Sequence, residues 1–262
     1  MPRVRLIALD LDGTLLEWDK TVLPEVREAL SELAERGVFI ATSSGRPYEY
    51  QVRVLSENGL GAEAGFPHAL IANEQEVYVL KGGRYEPVRE RNDELERRWG
   101  ELLPVAMDVV EREAWRLSSL GVEVRVWPES RGEARARKLC GLLFERGEEA
   151  RAEERLLRTT LRPSLRCNRH FNLVQVMLRE AGKGNSVLFL TRMLGIEPSE
   201  VLCVGDASND VCMLDGSLGF LSATFVTAER EVKEAVRAAG GYVASQPCGR
   251  GLLEVLRELS LI

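Results

Sequence analysis

The sequence predicts an α/β protein: a doubly wound parallel sheet interrupted by an inserted α+β domain. In the first 84 residues, short apolar runs typical of buried strands alternate with amphipathic helical stretches, and this alternation resumes at about residue 181. The stretch between is rich in charged residues and lacks the alternation. Because strand–helix–strand units build parallel sheets, we expect a core domain formed by residues 1–84 and 181–262, with residues 85–180 inserted.

Local patterns define the elements of the amino-terminal part. The stretch 24–37 repeats apolar residues at helical spacing between a starting proline and a final glycine, which predicts a helix. The other elements follow from similar apolar runs and turn residues. In chain order, the predicted elements are a strand over 6–9, the helix over 24–37, a strand over 38–42, a helix over 47–58, a strand over 69–73 and a hairpin around 81–83.

The rest of the chain is less regular at first. The inserted stretch predicts two helices, over 92–103 and 130–146, with one strand over 122–127 between them. The regular alternation then returns. Its predicted elements are a helix over 183–194, strands over 201–204 and 218–221, a helix over 229–238, a strand over 242–244 and a last helix from about 249.

The composition excludes several classes of function. The chain has 262 residues, 45% hydrophobic and 29% charged, which is typical of a soluble globular protein. No apolar run approaches the about 20 residues that cross a membrane, and a net charge of −6 argues against general nucleic-acid binding. The five cysteines form no zinc-binding spacing, and no signal peptide is visible. We therefore expect a cytoplasmic protein, either monomer or homodimer, with no nucleic-acid or membrane partner.

Two carboxylates follow the first predicted strand. Asp10 and Asp12 are two residues apart, and Gly13 and Thr14 then force a turn. They could be turn acids that cap a loop. However, burying an unpaired charge is costly, so a carboxylate pair at the end of a strand is better explained by a bound cation.

A second acidic cluster follows the predicted strand over 201–204. It contains Asp206, Asn209 and Asp210. An Asx turn with a helix cap is the alternative interpretation for these residues. Because sites form outside the carboxyl ends of parallel strands, the two acidic clusters are expected to share one metal ion.

A hydroxyl-rich segment follows the second predicted strand and opens a helix. Ser44 directly precedes Gly45 and Arg46, and a hydroxyl at a helix start can bind phosphate oxygens together with neighbouring N–H groups. The alternative is an ordinary helix cap. Ser43 and Thr42 stand beside Ser44 and remain candidates for the same hydroxyl.

Lys183 lies just before another predicted helix. It could be an exposed loop lysine. Its functional interpretation is a fixed positive charge that holds a nucleophile and a phosphate together.

Together these motifs resemble the haloacid dehalogenase superfamily of phosphohydrolases. The four motifs are DLDGT (10–14), SSGRP (43–47), GKGN (182–185) and GDASND (205–210). The resemblance covers the whole chain in order and spacing. It implies a Rossmann-like core with a cap of type C2B, the Cof-like type IIB cap of sugar-phosphate phosphatases, inserted between the second and third motifs. Many relatives have a single threonine before Gly-Arg, whereas this chain has three hydroxyl residues in a row.

The resemblance implies a role for each acidic residue. Asp10 would attack phosphorus and form an aspartyl-phosphate, while Asp12 would serve as general acid and then general base. Mg²⁺ would be bound by the carboxylates of Asp10 and Asp206 and by the backbone carbonyl of Asp12. Asn209 and Asp210 would orient these ligands.

The remaining motif residues would bind the phosphate. Ser44 and Lys183 would complete the catalytic group, and Ser43, Gly45 and Arg46 would contact the substrate. The implied substrate is a small phosphorylated metabolite, above all a sugar phosphate, selected by the cap. Two alternatives stay open: a phosphotransferase or phosphomutase that uses the same aspartate, and a non-enzymatic module that binds a phosphorylated ligand.

Overall fold

The computed structural model describes residues 4–262, which form two compact units. The first unit contains the described residues up to Val88 together with Lys183–Ile262. The second unit is Arg89–Gly182. The chain therefore leaves the first unit once and returns to it once.

The described residues form twelve strands arranged in two sheets. The strands are β1 (Leu6–Leu9), β2 (Phe39–Ser43), β3 (Ala69–Ala72), β4 (Glu76–Lys81), β5 (Arg84–Pro87), β6 (Val124–Trp127), β7 (Leu139–Phe144), β8 (Leu165–His170), β9 (Leu173–Leu178), β10 (Val201–Val204), β11 (Leu221–Phe225) and β12 (Tyr242–Ala244). The first unit contains an eight-stranded sheet in the order β12-β11-β10-β1-β2-β3-β4-β5, and the second a four-stranded sheet in the order β6-β7-β9-β8.

Nine helices are formed by the same residues. They are α1 (Pro24–Glu35), α2 (Tyr48–Glu57), α3 (Arg89–Ser119), α4 (Arg131–Arg137), α5 (Gly147–Thr160), α6 (Lys183–Met193), α7 (Val211–Leu214), α8 (Arg230–Ala238) and α9 (Cys248–Glu258). No helix in residues 4–262 combines the length and apolar character needed to cross a membrane.

The large sheet is parallel from β12 to β3, and β4 and β5 extend it in antiparallel pairing. Every residue of β1, β3 and β10 is buried. Strands covered on both faces consist of continuous apolar residues, which is why the sequence pattern predicted them. The chain order reverses at β1, between β2 and β10, and ligands of such sheets bind at this kind of switch point.

Helices cover both faces of the large sheet. One hydrophobic cluster joins Ile7 and Leu9 to α1, α2 and α9, and another joins Leu6 and Ala8 to α6, α7 and α8. Alternate residues of β1 therefore pack on opposite helical layers, as the period of two along a strand requires.

The second unit packs α3 and α5 on its antiparallel sheet. Trp99 of α3 is fully buried, and its indole Nε1 donates to the carbonyl of Ala134 at 2.9 Å. Leu142, Val174 and Val176 from the sheet belong to the same core. The predicted α/β fold class, with a doubly wound core and an inserted α+β domain, is confirmed.

Within the inserted domain, the predicted helix over 130–146 is confirmed in its first half, which forms α4, and is wrong from Leu139 onwards. Lys138 adopts a left-handed φ of 56° and ends α4. The next residues form β7, between β6 and β9. This stretch is almost continuously apolar because it lies in the interior of a sheet, and short apolar runs of this kind are ambiguous between helix and strand.

Two further predicted bounds differ from the structure. The helix predicted over 92–103 is part of α3, which continues through Pro104 because Trp99 and Val110, on either side of it, are buried in one core. The strand predicted over 218–221 begins only at Leu221, since Gly219 has a φ of +79° and belongs to the preceding turn.

Candidate active site

The predicted site residues lie after strands that are neighbours in the large sheet. Asp10 follows β1, Ser44 follows β2 and Asp206 follows β10, while Lys183 begins α6. Since β1 lies between β2 and β10, the carboxyl ends of these strands bring segments from distant parts of the chain to one edge.

Lys183 connects two of the aspartates. Its Nζ lies 2.6 Å from Asp10 Oδ1 and 2.6 Å from Asp210 Oδ1, and all three residues are buried. Burial raises the pKa of Asp10 well above its ordinary value, although the charge of Lys183 opposes this rise. Burial would lower the pKa of Lys183, but the two aspartates outweigh it and raise that pKa, so the lysine remains charged.

Three carboxylates form a compact acidic group. One oxygen each from Asp10, Asp206 and Asp210 lies within 4.8 Å of the others. Burial first, and then the charge of Asp210, raises the pKa of Asp206 to about 7. Three carboxylates beside a single lysine leave an excess of negative charge, and this set of oxygen donors suits a cation such as Mg²⁺.

The turn after β1 requires glycine to make room for this group. Gly13 has a φ of +79°, and a Cβ on it would lie 2.6 Å from Asp206 Oδ2. Thr14 Oγ1 donates to Asp206 Oδ1 at 3.1 Å. The turn and the second acidic cluster therefore support each other's geometry.

Asp210 shapes the loop that follows β10. Its Oδ2 accepts hydrogen bonds from the backbone N–H groups of Asp206 and Ala207, each at 3.0 Å. Its other oxygen accepts from Lys183. Because both oxygens already accept hydrogen bonds from protein groups, Asp210 is suited to orienting Asp206 rather than to binding a metal directly.

The carboxylate of Asp12 is bound by two cations. Arg46 Nε lies 2.7 Å from Asp12 Oδ2, and Lys20 Nζ lies 2.6 Å from Asp12 Oδ1. Burial alone would raise the pKa of Asp12, but the hydrogen bonds and charges of both cations lower it below its ordinary value. The sequence analysis did not identify Lys20, which lies in an irregular loop with no motif around it.

The three hydroxyl residues after β2 have different surroundings. Thr42 Oγ1 donates to Gln51 Oε1 at 2.8 Å, which ties it to α2. Ser44 Oγ accepts from the backbone N–H of Arg46 at 3.2 Å and keeps its own proton for another acceptor. Ser43 Oγ is buried and has no hydrogen-bond partner among the described residues. Ser43 and Ser44 therefore retain hydrogen-bonding capacity for a ligand, whereas Thr42 is engaged within the fold.

Asn209 is held by a residue that the sequence analysis missed. Its Nδ2 donates to Glu74 Oε1 at 2.8 Å, and both side chains are buried. Glu74 follows β3, whose carboxyl end lies at the same edge of the sheet as those of β1 and β2. A polar residue directly after a predicted parallel strand was therefore the available signal.

The chain matches a known family model, and it matches curated proteins over most of their length. The family model, described as haloacid dehalogenase-like hydrolase, matches residues 7–80 and 123–244. The HMP-PP phosphatase of Serratia proteamaculans is 27% identical, over 80% of this chain and 80% of that protein. The phosphoglycolate phosphatase of Thermoplasma volcanium is 21% identical, over 99% of this chain and 100% of that protein.

A solved structure shares the fold across the whole chain. The sucrose-phosphatase of Synechocystis sp. PCC6803, solved with sucrose and phosphate, has a TM-score of 0.72 and 18% sequence identity. The match covers 99% of both chains. At this level of identity, the similarity concerns the fold.

Proposed function

The chain belongs to the haloacid dehalogenase-like hydrolases, and from that membership we propose that it is a Mg²⁺-dependent phosphomonoester hydrolase. Its substrate would be a small phosphorylated metabolite, in particular a sugar phosphate. The observation that carries the proposal is the buried contact of Lys183 with Asp10, beside the carboxylate of Asp206. This arrangement combines a candidate nucleophile, a fixed positive charge and a set of oxygen ligands.

The oxygen donors fit a magnesium ion. The carboxylates of Asp10 and Asp206 would bind it together with the backbone carbonyl of Asp12, and Asp210 would orient this group. Unit charges 4 Å apart interact by about 4 kcal/mol at an effective dielectric of about 20, so a phosphate approaching these carboxylates would be repelled. The bound cation would offset that repulsion, together with Lys183.

Two carboxylates would divide the chemistry. A carboxylate oxygen of Asp10 attacks phosphorus, the bond from phosphorus to the ester oxygen breaks, and Asp12 donates a proton to the departing alcohol. In the second step Asp12 accepts a proton from water as the water oxygen attacks phosphorus. This step releases inorganic phosphate and restores the carboxylate of Asp10.

The two cations on Asp12 suggest how its protonation is controlled. A general acid must carry a proton, whereas Arg46 and Lys20 lower the pKa of Asp12. A substrate phosphate competes for the same cations because it carries more negative charge than a carboxylate. When they turn towards the phosphate, the pKa of Asp12 should rise towards the range in which it can donate a proton.

The proposed substrate class is broader than the compound named in any one relative. The similar proteins are named for different compounds, including HMP-PP, phosphoglycolate and sucrose. We propose that the inserted domain selects among such compounds, because the groups at the strand ends suit phosphate and a cation rather than the rest of a substrate.

Phosphate release from a panel of compounds tests the proposal. With Mg²⁺, the protein should release inorganic phosphate from p-nitrophenyl phosphate and from at least one sugar phosphate or phosphoglycolate. EDTA should remove the activity, and Mg²⁺ should restore it much better than Ca²⁺, whose looser coordination fits this transfer poorly. If no compound releases phosphate, hydrolysis is rejected. The next assay would then supply a sugar acceptor to detect a phosphotransferase.

Magnesium affinity should depend on pH because the ligands must lose their protons. Burial and Asp210 raise the pKa of Asp206 to about 7, Glu229 contributes in the same direction, and Lys183 and the hydroxyl of Thr14 oppose them. Below pH 7 at least the proton on Asp206 must therefore leave before Mg²⁺ binds, and the dissociation constant should rise by at least about tenfold per pH unit. Calorimetric titration at pH 8, 7 and 6 measures this slope. An affinity that is unchanged across the range would exclude Asp206 as a ligand.

A further inference from the structure

Glu74 has an unfavourable backbone conformation and a buried charged side chain. It lies in the turn between β3 and β4 with a φ of 65°, in the left-handed region that glycine adopts without strain. Its side chain is nonetheless buried, with only 1% of the residue exposed. Glutamate at such a position indicates that its carboxylate is used, since glycine would satisfy the backbone better.

Glu74 contacts three segments that carry site residues. Its backbone N–H donates to the carbonyl of Ser44 at 2.9 Å, and its own carbonyl accepts from Ser186 Oγ of α6 at 2.9 Å. Its Oε1 accepts from Asn209 Nδ2 at 2.8 Å. It also lies close to Gly45, on which a Cβ would be 3.5 Å from Glu74 Oε1.

The carboxylate determines which end of the Asn209 amide faces it. An ionised carboxylate only accepts hydrogen bonds, so Asn209 must direct Nδ2, its donor, towards Glu74. Asn209 Oδ1 is then the remaining acceptor. It is buried and receives no hydrogen bond from the described residues. A buried acceptor without a donor is costly, which indicates that a bound water or hydroxyl supplies the missing proton.

We infer that Glu74 is a positioning residue: it binds Nδ2 of Asn209 and thereby presents Oδ1 as the acceptor for a water or hydroxyl group bound in the active site. This inference rests on the proposed function for its catalytic consequence. Its structural part, the coupling between Glu74 and Asn209, holds independently of the reaction.

Two substitutions of Glu74 separate position from charge. Glu74→Gln loses the charge but keeps an oxygen within reach of Asn209 Nδ2, whereas Glu74→Asp keeps the charge and shortens the side chain. We expect Glu74→Asp to lower kcat by about 10- to 100-fold, the usual effect of removing a group that orients a ligand. Glu74→Gln should lower kcat by less, because its amide oxygen still reaches Asn209 Nδ2 although its N–H donor no longer excludes the reversed Asn209 amide. KM should change little in either variant.

A matched control is the first residue of β4, two positions after Glu74. Glu76 Oε2 accepts a hydrogen bond from Asn73 Nδ2 at 2.8 Å. Glu76→Gln should keep the wild-type kcat. If Glu74→Asp is as active as Glu74→Gln, the carboxylate does not act through its position and the inference is overturned.

A second experiment reverses the hydrogen bond between Asn209 and Glu74. Asn209→Asp places one carboxylate against another, so both kcat and the urea midpoint of unfolding should fall. Adding Glu74→Gln supplies an amide donor to the new carboxylate and should restore much of both losses. If the loss in the double variant instead equals the sum of the losses in the two single variants, the residues act independently and the inference fails.

The unfolding measurements distinguish this inference from the proposed function. If the wild type releases no phosphate from any compound, the proposed function fails. The urea midpoints of the wild type, Asn209→Asp, Glu74→Gln and the double variant still decide whether Glu74 and Asn209 are coupled. Rescue of the midpoint by Glu74→Gln supports the coupling, and absence of rescue rejects it. If Glu74→Asp does not fold, the comparison of Asn209→Asp with the double variant decides the inference, both by kcat and by the urea midpoint.

Discussion

Asp10→Asn is expected to abolish phosphate release while leaving the fold intact. The neutral amide is a poor nucleophile, so kcat should fall by roughly 10⁴- to 10⁶-fold, as in other enzymes that lose a nucleophile. Asparagine has nearly the same volume as aspartate, and its Oδ1 can still accept the hydrogen bond that Lys183 Nζ makes at 2.6 Å. The melting temperature should therefore change by only a few degrees, or by less.

Asp19 offers a matched control for this substitution. It is exposed in the loop after β1, where its Oδ1 accepts from Thr21 N at 3.1 Å and from Thr21 Oγ1 at 2.6 Å. Asp19→Asn should keep the wild-type activity. Intact-mass spectrometry after an acid quench should detect one added phosphoryl group on the wild type and none on Asp10→Asn. Retained turnover in Asp10→Asn would reject the covalent mechanism.

Lys183→Met is expected to be the most damaging substitution for stability in the site. It removes the cation between the buried carboxylates of Asp10 and Asp210. Leaving a buried charge without its partner costs about 3–5 kcal/mol, and turnover should be lost as well. Circular dichroism during urea unfolding measures the first effect, and phosphate release measures the second.

The sign of the pH dependence follows from the pKa of Asp10. Burial raises that pKa well above its ordinary value, and Lys183 opposes this rise, so removing the lysine should raise the pKa further. A carboxylate with a higher pKa in the folded state loses stability as pH rises through that value, because the unfolded state ionises more easily. The difference in free energy of unfolding between the wild type and Lys183→Met should therefore be larger at pH 8 than at pH 6.

Lys233→Met is the control for Lys183→Met. Lys233 lies on α8 and donates from Nζ to the carbonyl of Val226 at 2.8 Å in an exposed contact. Its loss should change stability little and by the same amount at both pH values. If the stability loss of Lys183→Met is the same at both pH values, as expected for Lys233→Met, the carboxylates are not destabilised by losing the lysine.

The core of the fold was predictable because its local patterns agree with its packing. The strands β1 and β10 are continuous apolar runs covered on both faces, and α1 begins at a proline with its apolar residues on one side. The inserted domain was predicted less well. The apolar run of β7 is ambiguous by itself. In β8 the apolar residues Leu165 and Cys167 stand among polar and charged ones, so this strand is not distinct within a charged segment.

The candidate site was predictable only in part, for a related reason. Asp10 and Asp206 were identified because each lies in a short motif directly after a strand. Lys20 and Glu74 carry no motif, and they become visible only through their contacts with Asp12 and Asn209.

The sequence by itself determined the family, the fold class and the segments that reach the edge of the sheet, because apolar spacing and turn residues act locally. Only the tertiary structure decided which groups pair. Lys183 bonds to Asp10, 173 residues away, and Asn209 bonds to Glu74, 135 residues away. The energies of these contacts depend on distance and burial, which exist only once the sheet has brought the strand ends together.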